Sequence, residues 1–237
     1  MKFISAAISV LLIFTAVPAF AFQADGLIEP HRVVNLGSPQ QGIIATIDVE
    51  RGNSIREGQV LATLQSEVEM ALMELKKANK DFAERKKERL EPLYEQELLA
   101  PLNMDEAETA RALAEAEYKH AHEVVKRTKI SSPVNGVVVE VFLSPGEYVE
   151  NQPIMKLAEI NPLNVEVILP LDKYRSVKLG TKAQVIPESP IGGQYSATVV
   201  IVDRVIDAAS GTFGVRLKLP NPNHRIPAGI KCKVLFP

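Results

Sequence analysis

Runs of alternating apolar and polar residues, broken by one long stretch of helical composition, set the organisation of this sequence. In the first run, Ser38-Pro39-Gln40-Gln41-Gly42 is followed by Ile43, Ile44, Ile47, Val49, Gly52 and Ile55. Displaced by 94 residues, Ser132-Pro133-Val134-Asn135-Gly136 is followed at the same spacings by Val137, Val138, Val141, Leu143, Gly146 and Val149. One residue is then missing from the second copy, after which Gln59 to Leu64 parallels Gln152 to Leu157. Such a repeat marks one structural unit used twice. Each copy predicts short strands whose β-branched residues supply a buried face, with Gly52 or Gly146 in a tight turn that needs φ > 0. Neither copy is large enough to bury that face alone, so the two pair into one compact β-sandwich. The ends of whatever lies between them must then meet.

Between the copies, Ser66 to Lys129 contains no Gly and is dominated by Ala, Leu, Glu, Lys and Arg, the composition of long exposed helices. Ser66-Glu67-Val68-Glu69 reads as a capping box opening one helix, and Asn103-Met104-Asp105-Glu106 as one opening a second. In the first helix Val68, Leu72, Leu75, Asn79, Phe82, Lys86, Arg89 and Leu93 follow four-three spacing. In the second, Met104, Ala107, Ala110, Ala114, Glu117, Ala121, Val124 and Thr128 follow three-four spacing. Both predict coiled-coil seams, with alanines allowing close approach. The helices must be antiparallel, with a turn near Glu97 to Leu102 around Pro101, and a 30-residue arm would project on the order of 45 Å. Toward the tip the seam turns charged at Lys86 and Arg89, and Pro92 interrupts the backbone ladder. That tip reads either as a docking surface or as a frayed, solvated end. The Lys/Arg-rich stretch from Lys76 to Arg89 also carries Asp81, Glu84 and Glu88, which makes most of it a salt-bridged solvent face.

Alternation returns after Asn161, in runs Leu163 to Leu169, Thr181 to Ile186, Tyr195 to Val202, Phe213 to Leu219 and Ile230 to Phe236. Turns at Gly192-Gly193, Ser210-Gly211 and Pro220-Asn221-Pro222-Asn223 punctuate them, which predicts a small antiparallel barrel. Asp172 to Leu179 is a candidate short helix, and Asp25 to Val34 a candidate additional strand. At the start, Met1-Lys2, an apolar run from Phe3 to Val17 and Ala19-Phe20-Ala21 form a secretory signal pattern with cleavage after Ala21. The apolar run is shorter than the roughly 20 residues needed to span a bilayer, which favours cleavage over retention as an anchor. No Cys follows the cleavage site for lipid anchoring, and no later segment is apolar enough to cross a membrane. The expected divisions are 1–21 signal peptide, 22–34 lead strand, 35–65 and 130–160 the two sandwich halves, 66–129 the hairpin and 161–237 the barrel.

Composition narrows the function classes. A formal net charge of −2 offers no bulk attraction for nucleic acid or anionic lipid, so no polynucleotide partner is expected and membranes are met only through other proteins. The absence of Trp and the 16 prolines favour several small modules over one large core. The sole cysteine, Cys232, alternates with Ile230, Val234 and Phe236 and reads as a small buried hydrophobe. His31, His120, His122 and His224 are scattered, and His120 and His122 point to different helix faces, so neither a metal nor a cofactor is expected. With no phosphate loop, nucleophile elbow or paired-Cys site, the chain is not expected to be an enzyme.

Taken in order, Gly42 to Leu64 with Gly58-Gln59, Ser132-Pro133 to Gly146, and Leu219-Pro220-Asn221-Pro222-Asn223 followed by Pro227-Ala228-Gly229 resemble the HlyD-like membrane fusion proteins. These are periplasmic adaptor subunits of tripartite efflux pumps and type I secretion systems. The resemblance covers nearly the whole mature chain. It implies an α+β, mostly β fold: a split lipoyl (biotinyl-lipoyl-like) β-sandwich with an inserted antiparallel coiled-coil hairpin, followed by a small β-barrel; in departure from many pump adaptors, no membrane-proximal domain is expected after the barrel. It also implies a location in the periplasm of a Gram-negative bacterium, associated with the inner membrane through partners. Those partners would be an inner-membrane transporter of the RND or ABC type, an outer-membrane channel and further copies of the chain in a ring. The family's hairpin tip carries an Arg, a Leu four residues later and a Ser eleven after the Arg; here these positions are Arg89, Leu93 and Ala100, so the last departs from the pattern. Gly42, Gly52, Gly136 and Gly146 fall at the turns of the lipoyl halves.

Two other functions fit parts of this pattern. A lipoyl or biotin carrier would present a modifiable Lys between the halves, yet Leu64 to Met70 contains none and the insert replaces that hairpin. A stand-alone periplasmic scaffold of the same fold differs only in lacking a pump, which the residues alone leave open.

Overall fold

The computed structural model describes residues 22–237; the expected signal peptide lies outside these residues. The chain forms β1 (Phe22–Leu36), β2 (Gly42–Ile47), β3 (Ser54–Ile55), β4 (Val60–Leu64), α1 (Glu67–Glu95) and α2 (Pro101–Arg127). There follow β5 (Lys129–Ser131), β6 (Gly136–Val141), β7 (Tyr148–Val149), β8 (Met155–Pro170), a 3-10 turn (Leu171–Lys173), β9 (Lys182–Pro187), β10 (Tyr195–Val202), β11 (Thr212–Leu219) and β12 (Ile230–Phe236). It divides into two compact units, Pro30–Asn161 and residues 22–29 with Pro162–Pro237. No helix among the described residues is long and apolar enough to cross a membrane.

In the first unit the repeat halves do not fold separately; they exchange strands. β2 pairs with β7 of the other half, Gly42 opposite Val149, while β6 pairs with β3, Gly136 opposite Ile55. The hydrogen bonds obey the same 94-residue displacement. The amide of Gly52 donates to the Val138 carbonyl at 2.8 Å, and that of Gly146 to the Ile44 carbonyl at 2.8 Å. Likewise Val138 donates to Asn53 at 3.0 Å and Ile44 to Glu147 at 2.9 Å. Gly52 and Gly146 have φ of 89° and 92°, a left-handed conformation that side chains disfavour. The halves close over one core of Ile44, Ile55, Leu61, Leu64, Val138, Val149, Ile154 and Leu157, whose members are related pairwise by the repeat.

Gly42 and Gly136 are not turn residues, contrary to expectation: they begin β2 and β6, where the chain is already extended. Their roles also differ. A Cβ on Gly136 would lie 2.1 Å from the Ala158 carbonyl oxygen, whereas one on Gly42 would make an ordinary 3.5 Å contact with Leu64. Close strand approach fixes the first glycine only.

In the second unit β12, β9, β10, β11 and β8 pair antiparallel in that order, and β1 joins β12 with Phe22 opposite Phe236. Inward residues such as Val165, Val167, Phe213, Leu217, Val234 and Phe236 fill this small barrel. The Pro-Asn-Pro-Asn segment closes on itself: the buried Asn221 amide donates to the Ile226 carbonyl at 2.9 Å and its oxygen accepts from the Ile226 amide at 3.1 Å. The helix expected over Asp172 to Leu179 is reduced to one 3-10 turn, because so short a segment cannot offset helix nucleation and is instead folded around the buried Val177.

Gly136→Ala is expected to destabilise the first unit by roughly 2 kcal/mol or more and Gly42→Ala by less than about 1 kcal/mol. Denaturant unfolding followed by far-UV circular dichroism checks the difference.

Candidate functional site

The hairpin is rooted on paired strands, with no side-chain N-cap on α1. Ser66 is the N-cap of α1 but its hydroxyl makes no capping bond, so the expected capping box does not form. The helix is held instead by Gln65, which donates to the Ile43 carbonyl at 2.8 Å, and Leu64, which donates to the Thr128 carbonyl at 2.9 Å. Opposite it β5 resumes the sheet, with Ala62 facing Ile130. Thr128, buried at the end of α2, ties its hydroxyl to the Val125 carbonyl at 2.7 Å. α2 opens two residues before the expected Asn103 cap. Pro101 takes the first helical position, where its fixed φ and missing N–H cost nothing, and Ala100 is the extended N-cap.

The seam on α2 runs largely as its spacing predicts, through Met104, Ala107, Ala114, Ala121 and Thr128. On α1 it is displaced by one residue. The covered positions are Glu69, Met73, Lys76, Lys80, Ala83, Lys87 and Leu90, while Val68, Leu72, Leu75, Phe82, Lys86 and Arg89 are exposed. The alanines of α2 bring the helices too close to admit Phe82 or the leucines, whereas a lysine stem lies flat along the seam with its head at the rim. Lys76 thus reaches Glu117 at 2.8 Å, Glu84 reaches Arg111 at 3.6 Å, and the Lys80 ammonium sits 5.5 Å from the Tyr118 ring centre. Charge occupies the middle of the seam, and Lys86 and Arg89 are not part of it.

α1 continues through Pro92 to Glu95 and ends in a Schellman arrangement: Leu98 donates to the Leu93 carbonyl at 2.9 Å and Glu97 to that of Tyr94 at 2.9 Å. The left-handed position, at φ 58°, is held by Glu97 instead of the usual glycine. Strain of that kind is retained where the surrounding structure dictates it.

Of the residues singled out from the sequence, Arg89 is exposed one turn below the tip with its Nε donating to the Arg85 carbonyl at 3.1 Å. Leu93 is exposed on the following turn, and Ala100 starts α2 across the loop. Sequence reasoning missed Tyr94, Leu98 and Leu102, which make the tip apolar; Leu98 and Leu102 are 71% and 66% exposed. The signal was a leucine-rich stretch at a position read only as a turn. His120 and His122 lie exposed on α2, away from this end. In the barrel unit, Cys232 is buried and its thiol is pushed up to about 11, chiefly by burial and then by the charges of Asp25 and Glu188. That suits an inert packing residue.

Residues 32–159 match the model of the CzcB-like barrel-sandwich hybrid domain. The chain belongs to this family. In its CzcB-like domain the hybrid is the strand-exchanged sandwich, with the hairpin inserted between its halves. A solvent efflux pump periplasmic linker, SrpA, from Pseudomonas putida is 24% identical over 221 residues, covering 86% of this chain and 58% of the relative. An uncharacterized protein of Haemophilus influenzae is 22% identical over 207 residues, covering 86% and 54%. The chain therefore spans little more than half the length of these curated relatives. Among solved structures, a MacA-MexA chimeric protein containing the Pseudomonas aeruginosa MexA α-hairpin shares the fold with a TM-score of 0.76 at 22% identity, over 91% of this chain and 80% of that one. The membrane fusion protein Spr0693 of Streptococcus pneumoniae R6 does so with a TM-score of 0.69 at 16% identity, over 92% and 99%.

For the hairpin of the CzcB-like domain, Glu97→Gly is expected to raise stability by about 1 kcal/mol, because glycine adopts the left-handed position without strain. Thermal melting of the helical circular dichroism signal measures it; an unchanged or lowered midpoint contradicts the strain assignment.

Proposed function

We propose that this chain is a periplasmic adaptor subunit of a tripartite efflux or secretion system in a Gram-negative bacterium. It bridges an inner-membrane transporter, of the RND or ABC type, to an outer-membrane channel through its helical hairpin. The observation that carries this reading is the tip. An arm of about 40 Å, anchored at both feet in a closed sandwich, ends in exposed Leu93, Tyr94, Leu98 and Leu102 beside the cation of Arg89. An apolar cluster with one charged neighbour, held far from the anchoring domain, suits a protein contact better than a solvated end. Relatives named as efflux pump periplasmic linkers support the same reading.

In this account the residues divide as the sequence suggests, with 35–65 and 130–160 forming the lipoyl-like sandwich, 66–129 the arm and 161–237 the barrel. Sandwiches of several copies pack side by side into a ring, hairpins reach toward the channel, and the barrels meet the transporter. The chain supplies a connection and passes on conformational change; energy for transport comes from the transporter. Ala100, where the family has Ser, removes a hydroxyl from the contact and leaves Arg89 and Leu93 with more of the recognition.

Photocrosslinking from positions 93 and 100 in cells tests the contact, and capture of an outer-membrane channel is the expected result. Arg89→Glu should reduce that capture at least about tenfold without changing the circular dichroism spectrum. Undiminished capture would remove Arg89 from the interface, and reproducible absence of any channel would favour a stand-alone scaffold.

A further inference from the structure

The two units of the chain differ in charge. Residues 30–161 carry 16 Lys and Arg against 22 Asp and Glu, whereas residues 22–29 and 162–237 carry ten against seven. The small overall charge is thus the sum of an acidic unit and a basic one, and the expectation that the chain has no attraction for anionic lipid holds for the sum only.

Within the barrel unit the cations gather at one end. Strand register sets Phe22 opposite Phe236, Leu235 opposite Gln184, Val202 opposite Val215 and Thr212 opposite Pro170. The start of β1 and the connections 171–181 and 203–211 therefore share that end. With the start of β9 they bring Lys173, Arg175, Lys178, Lys182 and Arg204 to it. The last four are exposed, and none is in an ion pair among the described residues. Three carboxylates stand against these five cations, each engaged locally. Asp172 reaches Lys173 at 3.2 Å, Asp207 accepts from the Ser210 hydroxyl at 2.8 Å and the Ala209 amide at 2.9 Å, and Asp203 lies over Gly214.

Among the cations stand Leu171, Leu179, Val205 and Ile206, all exposed although the interior beneath them is filled by Val177, Phe213 and Phe236. Val205 is 85% exposed, more than any other large apolar residue among those described, and Leu179 is 66% exposed. Aliphatic loop tips ringed by Lys and Arg suit a lipid interface, where the tips enter between headgroups and the long cationic side chains reach phosphates. A protein contact would present aromatic anchors at its centre. Here Phe213 and Phe236 are buried, and Tyr174 packs edge-on against Phe213 at 5.0 Å. The opposite end of the barrel is unlike this one: its connections, 188–194 and 220–229, bury Ile226 against the Asn221 amide and expose Ile191 by only 36%.

We propose that the barrel end formed by 171–181 and 203–211 rests directly on an anionic phospholipid surface. Leu179, Val205 and Ile206 enter the interface, and Arg175, Lys178, Lys182 and Arg204 meet lipid phosphates. The expected signal peptide joins the chain at Phe22, on this same end, so a precursor held in the membrane by its leader would have it turned toward the bilayer. The contact uses the end of the barrel and leaves its walls to the transporter, so it adds to the adaptor reading without resting on it.

Purified residues 22–237 should sediment with vesicles of equal parts phosphatidylglycerol and phosphatidylcholine, not with phosphatidylcholine alone, and should be released as salt rises. Lys178→Glu with Arg204→Glu, and separately Leu179→Asp with Val205→Asp, should each weaken binding at least about tenfold with an unchanged circular dichroism spectrum. Lys218→Glu with Arg225→Glu, elsewhere on the barrel, should change it by less than about threefold. The chain has no Trp, so a single introduced one reports depth. Emission of Val205→Trp should shift to the blue on these vesicles and be quenched by brominated lipid, and that of Arg225→Trp should not. Absence of binding, binding that survives the loop substitutions, or equal quenching at 205 and 225 would each overturn the proposal. A chain that ignores vesicles, yet loses capture of a membrane protein on the same substitutions, would make this end a protein contact and overturn it as well. None of these results depends on whether a channel is captured at the hairpin tip.

Discussion

The structure depends on a reciprocal exchange of hydrogen bonds between two halves that the chain keeps far apart. Gly52 bonds to Val138 and Gly146 to Ile44, so neither half completes its sheet without the other. The entropic cost of bringing them together is moderated by the insert itself, whose two helices return the chain to within one strand spacing of where it left. The consequence runs outward. Because β4 and β5 are paired, the feet of α1 and α2 are set side by side, and the direction of the arm is fixed without a side-chain N-cap on α1.

That anchorage explains how the arm tolerates an indifferent seam. A free two-helix coil with Lys76, Lys80 and Lys87 on its covered face would have little apolar area to hold it. Here the roots supply the alignment, and the seam needs only small residues and ion pairs worth a few tenths of a kcal/mol each at its exposed rims. The larger apolar side chains are released to the surface along one side of the arm and at its tip. In the proposed function this division has a use: the sandwich supplies rigidity, and the arm supplies surfaces for other proteins.

How much of this the sequence disclosed depends on the kind of signal. The repeat was plain, because a fixed displacement relating Gly52 to Gly146 and Ile55 to Val149 is hard to produce by chance, and strand limits at β10 and β12 followed from alternation alone. The seam of α1 was misread by one residue. Hydrophobic spacing identifies the apolar stripe of a helix, and here that stripe is not the one turned toward the partner helix. Only the alanine-lined approach of α2, a tertiary constraint, decides which stripe is covered. Gly42 and Gly136 looked equivalent, yet one is fixed by the Ala158 carbonyl and the other is not, a difference that no local pattern encodes. At the tip, Glu97 replaced the glycine that would have announced the helix end, and the exposed leucines around it were hidden in what read as a turn.

The central claim is that the two halves form a single cooperative unit from which the arm is built. Native-state hydrogen exchange measures it directly, at the amides of Ile44 and Gly52 in one half and of Val138 and Gly146 in the other. All four should exchange through one common opening, with free energies agreeing to within about 1 kcal/mol. Exchange of one pair while the other stays protected, by a margin larger than that, would mean that the halves open independently and would contradict the account.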